Sequence, residues 1–67
     1  MELAILSRNL REMREKRRLT QKDLAERLSL SDKTISKWEN ERSIPDIFTL
    51  LKLAEIFDCT LDDFLRN

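Results

Sequence analysis

The sequence contains no glycine and no histidine, and only one cysteine and one proline among its 67 residues. Without glycine the chain has no glycine-rich loop of the kind that cradles phosphates. Without histidine it lacks the commonest general base and metal ligand. A single cysteine cannot form an internal disulfide, which favours a reducing, cytoplasmic setting. No apolar run approaches about 20 residues, and no basic stretch precedes the N-terminal apolar patch, so neither a membrane span nor a signal peptide is expected.

Few side chains remain that could carry out catalysis or bind a metal. Cys59 follows an apolar helical segment and precedes a capping threonine, so we expect a small buried apolar residue rather than a nucleophile. Asp58, Asp62 and Asp63 lie near a helix start, where carboxylates more often serve the cap and the helix dipole than a cation. The sequence therefore predicts neither an enzyme nor a bound metal or cofactor.

The charge is balanced overall but unevenly distributed. The chain has 13 Lys+Arg and 13 Asp+Glu. Residues 1–44 contain 11 basic and 8 acidic residues, a net of +3, and residues 45–67 contain 2 and 5, a net of −3. Such an asymmetry gives one end of a small protein a positive field although the sum is zero, which is a weak indication of a nucleic-acid partner.

Capping residues mark the expected helix starts. Thr20 with Asp23 three residues later is typical of a capping box, and Ser31 is a second N-cap. Pro45 favours an extended residue before it, so that a further helix begins after Asp46. A similar pattern of Thr60 followed by an acidic residue three positions on predicts a short last helix.

Apolar residues at helical spacing follow each predicted start, and no segment alternates with the period of a strand. The expected fold is all-α, a compact five-helix bundle with short connections. The apolar faces comprise Leu3, Leu6, Leu10 and Met13; Leu24, Ala25 and Leu28; Ile35 and Trp38; Ile47, Leu50, Leu51, Leu53, Ala54 and Phe57; and Leu61, Phe64 and Leu65.

The second and third helices, at 20–28 and 31–39, are separated by only two residues. They cannot lie antiparallel and must cross steeply, and the small Ala25 permits the close approach. We expect Leu30 and Ile35 to fill the angle between them. This is the geometry of a helix-turn-helix, whose second helix can enter a major groove about 12 Å wide.

The stretch "SDKTISKWEN" has only two large apolar residues, Ile35 and Trp38, three positions apart. Trp38 could stack on a base, but its spacing from Ile35 favours the core. Lys33 and Lys37, four positions apart, lie opposite this pair and share the exposed face.

The stretch "LTQKDLAERLSLSDKTISKWENERSIPD" resembles the helix-turn-helix of the lambda-repressor, Cro and XRE class of bacterial and phage DNA-binding regulators. The series "LTQ–LA–L–S–TIS–WEN–P" is specific to that class, and the likeness extends over nearly the whole chain. It implies a single DNA-binding domain over 1–67, with the helix-turn-helix motif at 21–40, of the lambda-repressor-like fold type.

The resemblance also implies residue roles. Base contacts are expected from Asp32, Lys33, Ser36 and Lys37. Phosphate contacts are expected from Gln21, Thr34 and Asn40. Arg14 and Glu39 match an interior ion pair of several relatives. Arg11 and Arg42 are further candidates for phosphate contact, although a simply solvated charge is an equally good interpretation of either.

Some of these roles have competing interpretations. A lysine at position 33 or 37 can donate to guanine O6 and N7, and we favour this over a solvated surface. Asp32 either accepts from cytosine N4 or balances the dipole at the helix start, and the second is favoured. For Ser36, a base contact and a simply solvated surface position are equally good interpretations.

Relatives in this class often have glycine where this chain has Arg18, Ser29, Glu41 and Asp58. If those turns keep a left-handed residue, each non-glycine costs about 1 kcal/mol. Either stability is reduced in this way or the turns are shifted by one residue, for example onto Asn40.

The sequence thus predicts a sequence-specific transcriptional regulator, a repressor, that reads the major groove with the helix at 31–39. We expect it to bind double-stranded DNA at a pseudo-palindromic operator as a homodimer, in a cytoplasmic, nucleoid-associated setting. Pairing through the C-terminal helix region is expected because Leu61, Phe64 and Leu65 form an apolar tail beyond what the core needs.

Two alternatives stay open. The same fold can serve as an antitoxin-like or adaptor module that acts mainly through a protein partner, and the zero net charge suits that interpretation. The chain could also be the DNA-binding segment of a longer sensor protein, although it ends just after the fifth helix without a linker.

Overall fold

The computed structural model describes residues 2–67 and contains only helices within that range. The helices are α1 (Leu3–Lys16), α2 (Gln21–Leu28), α3 (Asp32–Glu39) and α4 (Ile47–Phe57), followed by a 3-10 helix at Leu61–Leu65. The predicted all-α fold is confirmed. The fifth helix is present as a five-residue 3-10 helix rather than an α-helix, which is common for so short a piece.

The predicted caps at Thr20, Ser31 and Asp46 are formed, and at the last helix the Thr60 N–H donates to Asp63 Oδ2 at 2.9 Å. The Asp23 N–H donates to Thr20 Oγ1 and the Thr20 N–H donates to Asp23 Oδ2, both at 2.9 Å. Ser31 Oγ and Asp46 Oδ1 each accept from the backbone N–H three residues on, at 3.4 and 2.8 Å. Hydrogen bonds from the backbone hold the pKa of Asp23 and Asp46 below the usual range, so both carboxylates are ionised at neutral pH.

One hydrophobic core joins all five helices. Its ten fully buried apolar residues are Leu6, Leu10, Leu24, Ala25, Leu28, Ile35, Trp38, Leu53, Phe57 and Phe64. α2 packs mainly on α3, α1 lies between α3 and the 3-10 helix, and α4 packs on the 3-10 helix.

Three expectations about burial were wrong. Leu30 does not fill the angle between α2 and α3, because 40% of it is exposed. Phe64 is not part of an exposed tail: it is 1% exposed and is among the largest fully buried side chains. Ile47 and Leu51 were assigned to the core face of α4, but each is about half exposed. α4 has apolar residues around most of its circumference, and periodicity alone could not show which side faces inward.

The four turns that follow the α-helices share one geometry. Arg18, Ser29, Glu41 and Asp58 all have positive φ, between 50° and 60°. After each of them the next N–H donates to the carbonyl five residues back, at 2.9–3.2 Å, which is the Schellman arrangement. The alternative of a turn shifted onto Asn40 is wrong, because its φ is −106°. The turns keep the geometry that favours glycine, with other residues in place.

The chain after α4 is fastened to α1. Asn9 Nδ2 donates to the carbonyls of Phe64 and Arg66, both at 2.8 Å. At the other end of α1, Arg17 donates to the carbonyl of Phe57, and its guanidinium lies 6.0 Å from the ring centroid of that residue. These contacts fix the 3-10 helix and the end of α4 on the side of α1 opposite α3.

Within residues 2–67, the helices are all too short or too polar to cross a lipid bilayer.

Candidate nucleic-acid interface

α3 has one side buried in the core and one side that faces outward. Ile35 is 1% exposed and Trp38 is 5% exposed, so both lie in the core as predicted. The Ser7 hydroxyl on α1 donates to the Trp38 carbonyl at 2.7 Å, which adds a buried polar link to the apolar ones. The outward face consists of the exposed Asp32, Lys33 and Lys37 and the half-buried Ser36.

Glu39, at the end of α3, is the polar centre of the motif. Its side chain is 1% exposed. Arg14 on α1 donates to both carboxylate oxygens, from Nε at 2.7 Å and from Nη2 at 2.9 Å. Gln21 on α2 donates to the same carboxylate from Nε2 at 3.1 Å. The predicted pairing of Arg14 with Glu39 is therefore present as a bidentate contact, and through Gln21 it also includes α2.

The electrostatics of this cluster favour a charged carboxylate. Burial by itself would raise the pKa of Glu39, but the hydrogen bonds from Arg14 and Gln21 outweigh it, so the pKa of Glu39 lies below its usual range. The hydrogen bond to Glu39 likewise raises the pKa of Arg14. Both groups are ionised at neutral pH, and the three helices are held by a charge-assisted contact.

Arg11 lies beside the same cluster. Its Nη2 donates to the Glu39 carbonyl at 3.1 Å, and its Nε is 3.6 Å from Glu39 Oε1. Its side chain is about half exposed. A cation is favourable at this place because the last carbonyls of α3 carry the negative end of the helix dipole. Arg11 thus has a structural contact that sequence reasoning missed.

Polar side chains complete both ends of α3. Asn40 Nδ2 donates to the Ser36 carbonyl at 2.8 Å and lies 3.2 Å from Ser36 Oγ. At the start of the helix, the Thr34 and Ser31 hydroxyls are 3.2 Å apart. Arg42 is exposed in the loop after α3. The candidate residues at positions 32–42 therefore lie on one continuous surface formed by α3 and its two ends.

Cys59 lies away from this surface, half-buried beside the core. It contributes to a shallow cleft of 330 Å³ between α1 and the end of α4, together with Lys16 and Arg17. Burial raises the pKa of the Cys59 thiol, with the nearby Asp63 adding to the effect. The thiol is therefore protonated at neutral pH and is a poor nucleophile.

Comparison with known proteins agrees with this geometry. The family model described as "Helix-turn-helix" matches residues 10–64. The chain is 37% identical over 60 residues to the HTH-type transcriptional regulator ImmR of Bacillus subtilis (strain 168), covering 90% of this chain and 47% of that protein. It is 36% identical over 58 residues to the HTH-type transcriptional activator BcrR of Enterococcus faecalis, covering 87% of this chain and 28% of that one. The chain thus spans less than half the length of these two relatives.

Two solved structures share the fold. The solution structure of the SOS-response transcriptional repressor LexA from Eubacterium rectale superposes with a TM-score of 0.89 at 28% identity, covering 97% of this chain and 69% of that one. The crystal structure of the restriction-modification controller protein C.AhdI from Aeromonas hydrophila superposes with a TM-score of 0.82 at 26% identity, covering 92% and 90%. With the matched family model and the packing of α2 on α3, these likenesses show that the chain belongs to the helix-turn-helix family, in the lambda-repressor, Cro and XRE class.

Proposed function

We propose that this protein is a sequence-specific DNA-binding transcriptional regulator that places α3 in the major groove. The observation that carries the proposal is the division of α3 into a buried side, Ile35 and Trp38, and an exposed side with Lys33 and Lys37. A two-turn helix with this division can enter a groove about 12 Å wide without giving up any core contact.

Base reading is proposed for the outward face of α3. Lys33 and Lys37 are the donors suited to guanine O6 and N7. Ser36 can donate its hydroxyl proton to a base while its oxygen accepts from Asn40. Asp32 is placed at the first helical position, where it balances the dipole and can also accept from cytosine N4.

Phosphate contacts are proposed for the residues around this face: Gln21, Thr34, Asn40, Arg42 and Arg11. The side-chain amide of Gln21 has two N–H donors. One donates to the Glu39 carboxylate, so the second can donate to a phosphate oxygen. Asn40 has both amide hydrogens close to Ser36, so its phosphate contact would replace the longer bond, at 3.2 Å. Arg11 keeps several of its five donors free.

On DNA we propose a symmetric pair of domains on a pseudo-palindromic operator, with the two α3 helices about 34 Å apart in successive major grooves. We further propose that the regulator represses by occupying its operator, in keeping with the close structural likeness to a LexA repressor. In a reconstituted transcription assay, adding the protein should then lower the transcript yield from a promoter that overlaps the operator. An increased yield would show activation and contradict the proposed repression.

The DNA-reading proposal is tested with Lys33→Ala, Lys37→Ala and the double variant. A duplex selected by the wild type from a random pool serves as the probe, and fluorescence anisotropy gives the affinity. Each single change should cost about 1–3 kcal/mol and relax the preference at one base pair. Lys16→Ala is the matched control, because Lys16 is an exposed lysine on the side of α1 away from α3.

The adaptor alternative predicts another outcome. It is favoured by the exposed apolar residues of α4, which suit a protein partner. If the double variant folds, as judged by circular dichroism, and binds the selected duplex as tightly as the wild type, the lysines do not read DNA and the adaptor function is supported instead.

A further inference from the structure

The outward face of α3 has a centre and two edges. An α-helix turns by about 100° per residue, so Lys33 lies within about 10° of the direction opposite the buried Ile35 and Trp38. Ser36 and Lys37 lie about 50° to either side of that direction. These three side chains are therefore the ones best placed to meet the edges of base pairs, and we call them the reading triad.

Asp32 lies outside the reading triad. It is about 90° from the same direction, at the edge of the outward face. Its place in the first turn of α3 suits a carboxylate that balances the helix dipole. Asp32 is also the acidic member of the four outward residues, so the centre of the face carries no carboxylate.

The reading triad presents hydrogen-bond donors. A lysine ammonium has three N–H donors and no acceptor. Within residues 2–67, the ion pairs do not include Lys33 or Lys37, so the donors of both are uncommitted. Ser36 Oγ lies 3.2 Å from Asn40 Nδ2, a group that only donates. The hydroxyl proton of Ser36 is therefore free to be donated elsewhere.

Donors of this kind select particular base edges. Guanine presents two acceptors in the major groove, O6 and N7, whereas adenine presents N7 beside an N6 donor and thymine presents O4 beside a methyl group. Guanine is therefore the base that best satisfies an ammonium group. A single hydroxyl donor is less selective, because every base pair offers at least one acceptor in the major groove.

The spacing of the two lysines limits how far apart their target bases can be. Lys33 and Lys37 are four residues apart, which is about 6 Å along the helix axis. Neighbouring base pairs are about 3.4 Å apart, so this distance covers between one and two base-pair steps. Two like charges one helical turn apart also repel each other, and a separate guanine for each lysine relieves that repulsion.

We propose that each half-site of the operator contains two G·C pairs within three consecutive base pairs, one read by Lys33 and the other by Lys37. Ser36 lies between the two lysines along the helix axis and contributes affinity with little base preference. The inference rests on the function proposed above, and it specifies which DNA the outward face of α3 selects.

Selection of bound duplexes from a random pool tests the predicted half-site. The wild type should return two G·C pairs within three consecutive base pairs. Lys33→Ala and Lys37→Ala should each remove the preference at one of these pairs and keep it at the other. Ser36→Ala should weaken binding to all selected duplexes to a similar degree. Lys16→Ala is the matched control and should return the wild-type motif.

Base analogues in the selected duplex test the contacts atom by atom. 7-Deazaguanine lacks the N7 acceptor, so placing it at either pair should weaken wild-type binding about fivefold, as for one lost hydrogen bond. Lys33→Ala should be insensitive to the analogue at the pair assigned to Lys33. Inosine keeps O6 and N7 and lacks only the minor-groove amino group, so it is the control and should change the affinity by less than about twofold.

Three results would each overturn the inference: A·T pairs at both positions, G·C pairs spread over more than three base pairs, or equal effects of 7-deazaguanine and inosine. If binding to such half-sites is still lost when both lysines are replaced by alanine, the DNA-reading proposal stands and only the inferred base preference fails. A wild type that enriches no sequence from the pool would contradict both.

Discussion

Glu39 shows how one buried charge can organise a very small protein. A carboxylate removed from water is costly unless it is paired and hydrogen-bonded. Here Arg14 and Gln21 supply both, and Arg11 lies beside them. Because these partners come from α1 and α2 while Glu39 ends α3, the cluster fixes the orientation of α3 relative to the two helices that support it.

The first prediction concerns Glu39→Gln. Removing the charge leaves Arg14 without its buried counter-ion, so the free energy of unfolding should fall by about 3 kcal/mol in urea titrations. Glu55→Gln, at an exposed position of α4, is the control and should change the value by less than about 0.5 kcal/mol.

The pH dependence of the same variant gives a separate test. The pKa of Glu39 is lower in the folded protein than in the unfolded chain, so its contribution to stability is fully present above the unfolded value of about 4.3 and is lost as the pH falls through the lower folded value. The wild type should therefore have the larger free energy of unfolding at pH 5, and its difference from Glu39→Gln should shrink as the pH is lowered from about 5 to 2. An advantage that stays constant over this range would contradict the assigned role.

The second prediction concerns the left-handed turn residues. Glu41 has φ of 60° and Asp58 has φ of 50°. Glu41→Gly should remove a steric cost of about 1 kcal/mol and raise the melting temperature by about 4–8 °C, less any entropy gained by the unfolded chain. Asp58→Gly should gain less, because aspartate tolerates this conformation better than glutamate.

Arg42→Gly is the control for both, since it lies in the same loop as Glu41 without a positive φ. It should lower the melting temperature, because glycine there adds freedom to the unfolded chain without relieving strain. Unchanged or lower melting temperatures for both Glu41→Gly and Asp58→Gly would refute the account of the turns.

At the scale of helices, α3 depends on its surroundings. It has eight residues, Asp32–Glu39, and an isolated helix of that length does not form in water. Its stability comes from Ile35 and Trp38 in the core, from Glu39, and from the cap supplied by Ser31. The helix proposed to read DNA therefore depends on these contacts with the rest of the domain for its stability.

The third prediction follows for Ser31→Ala. Loss of the hydrogen bond that Ser31 Oγ accepts from the Thr34 N–H should lower the free energy of unfolding by about 1 kcal/mol. Trp38 is the only tryptophan, so its fluorescence reports unfolding of this region without a label. Ser43→Ala, in the loop before α4, is the control, and an equal loss in both variants would show that the cap contributes nothing specific.

Helix positions were largely predictable from sequence, because caps and apolar spacing are local signals. Thr20, Ser31 and Asp46 each precede the first residue of a helix as predicted. The predictions that were wrong concerned burial, which depends on packing between segments distant in the chain. Phe64 is buried because Asn9 and α1 hold the 3-10 helix in place, and no local pattern encodes that contact. For the same reason α4 did not reveal which of its apolar sides faces inward.

In the candidate site, too, some features were predictable from the sequence and others were not. The burial of Ile35 and Trp38 and the partnership of Arg14 with Glu39 were foreseen, the first from spacing and the second from family likeness. The contacts of Gln21 and Arg11 with Glu39 were not predicted, since they join residues 18 and 28 positions apart in the chain. The DNA contacts themselves stay predictions.

At the scale of the molecule, a net charge of zero conceals a separation of charge. Residues 1–44 carry +3 and residues 45–67 carry −3. The proposed reading surface belongs to the first segment, and α4 lies entirely in the second. DNA affinity should therefore depend strongly on salt, although the isoelectric point of about 6.2 is ordinary.

The fourth prediction uses that dependence. Arg42→Ala should reduce the slope of log K against log salt by about 0.9 per domain, with little change in base preference, as expected for one lost phosphate contact. Lys16→Ala should leave the slope unaltered. A change in base preference at one position with an unaltered slope would instead place Arg42 in the groove.

The division of labour within α3 has a consequence for how such proteins diversify. No side chain that secures the helix to the domain is also one of the four that face outward, Asp32, Lys33, Ser36 and Lys37. Exchange at these four places therefore leaves the core intact, so a library randomised there should consist mainly of folded proteins. New target sequences can then arise in a lineage by a handful of substitutions, with no compensating change elsewhere in the domain.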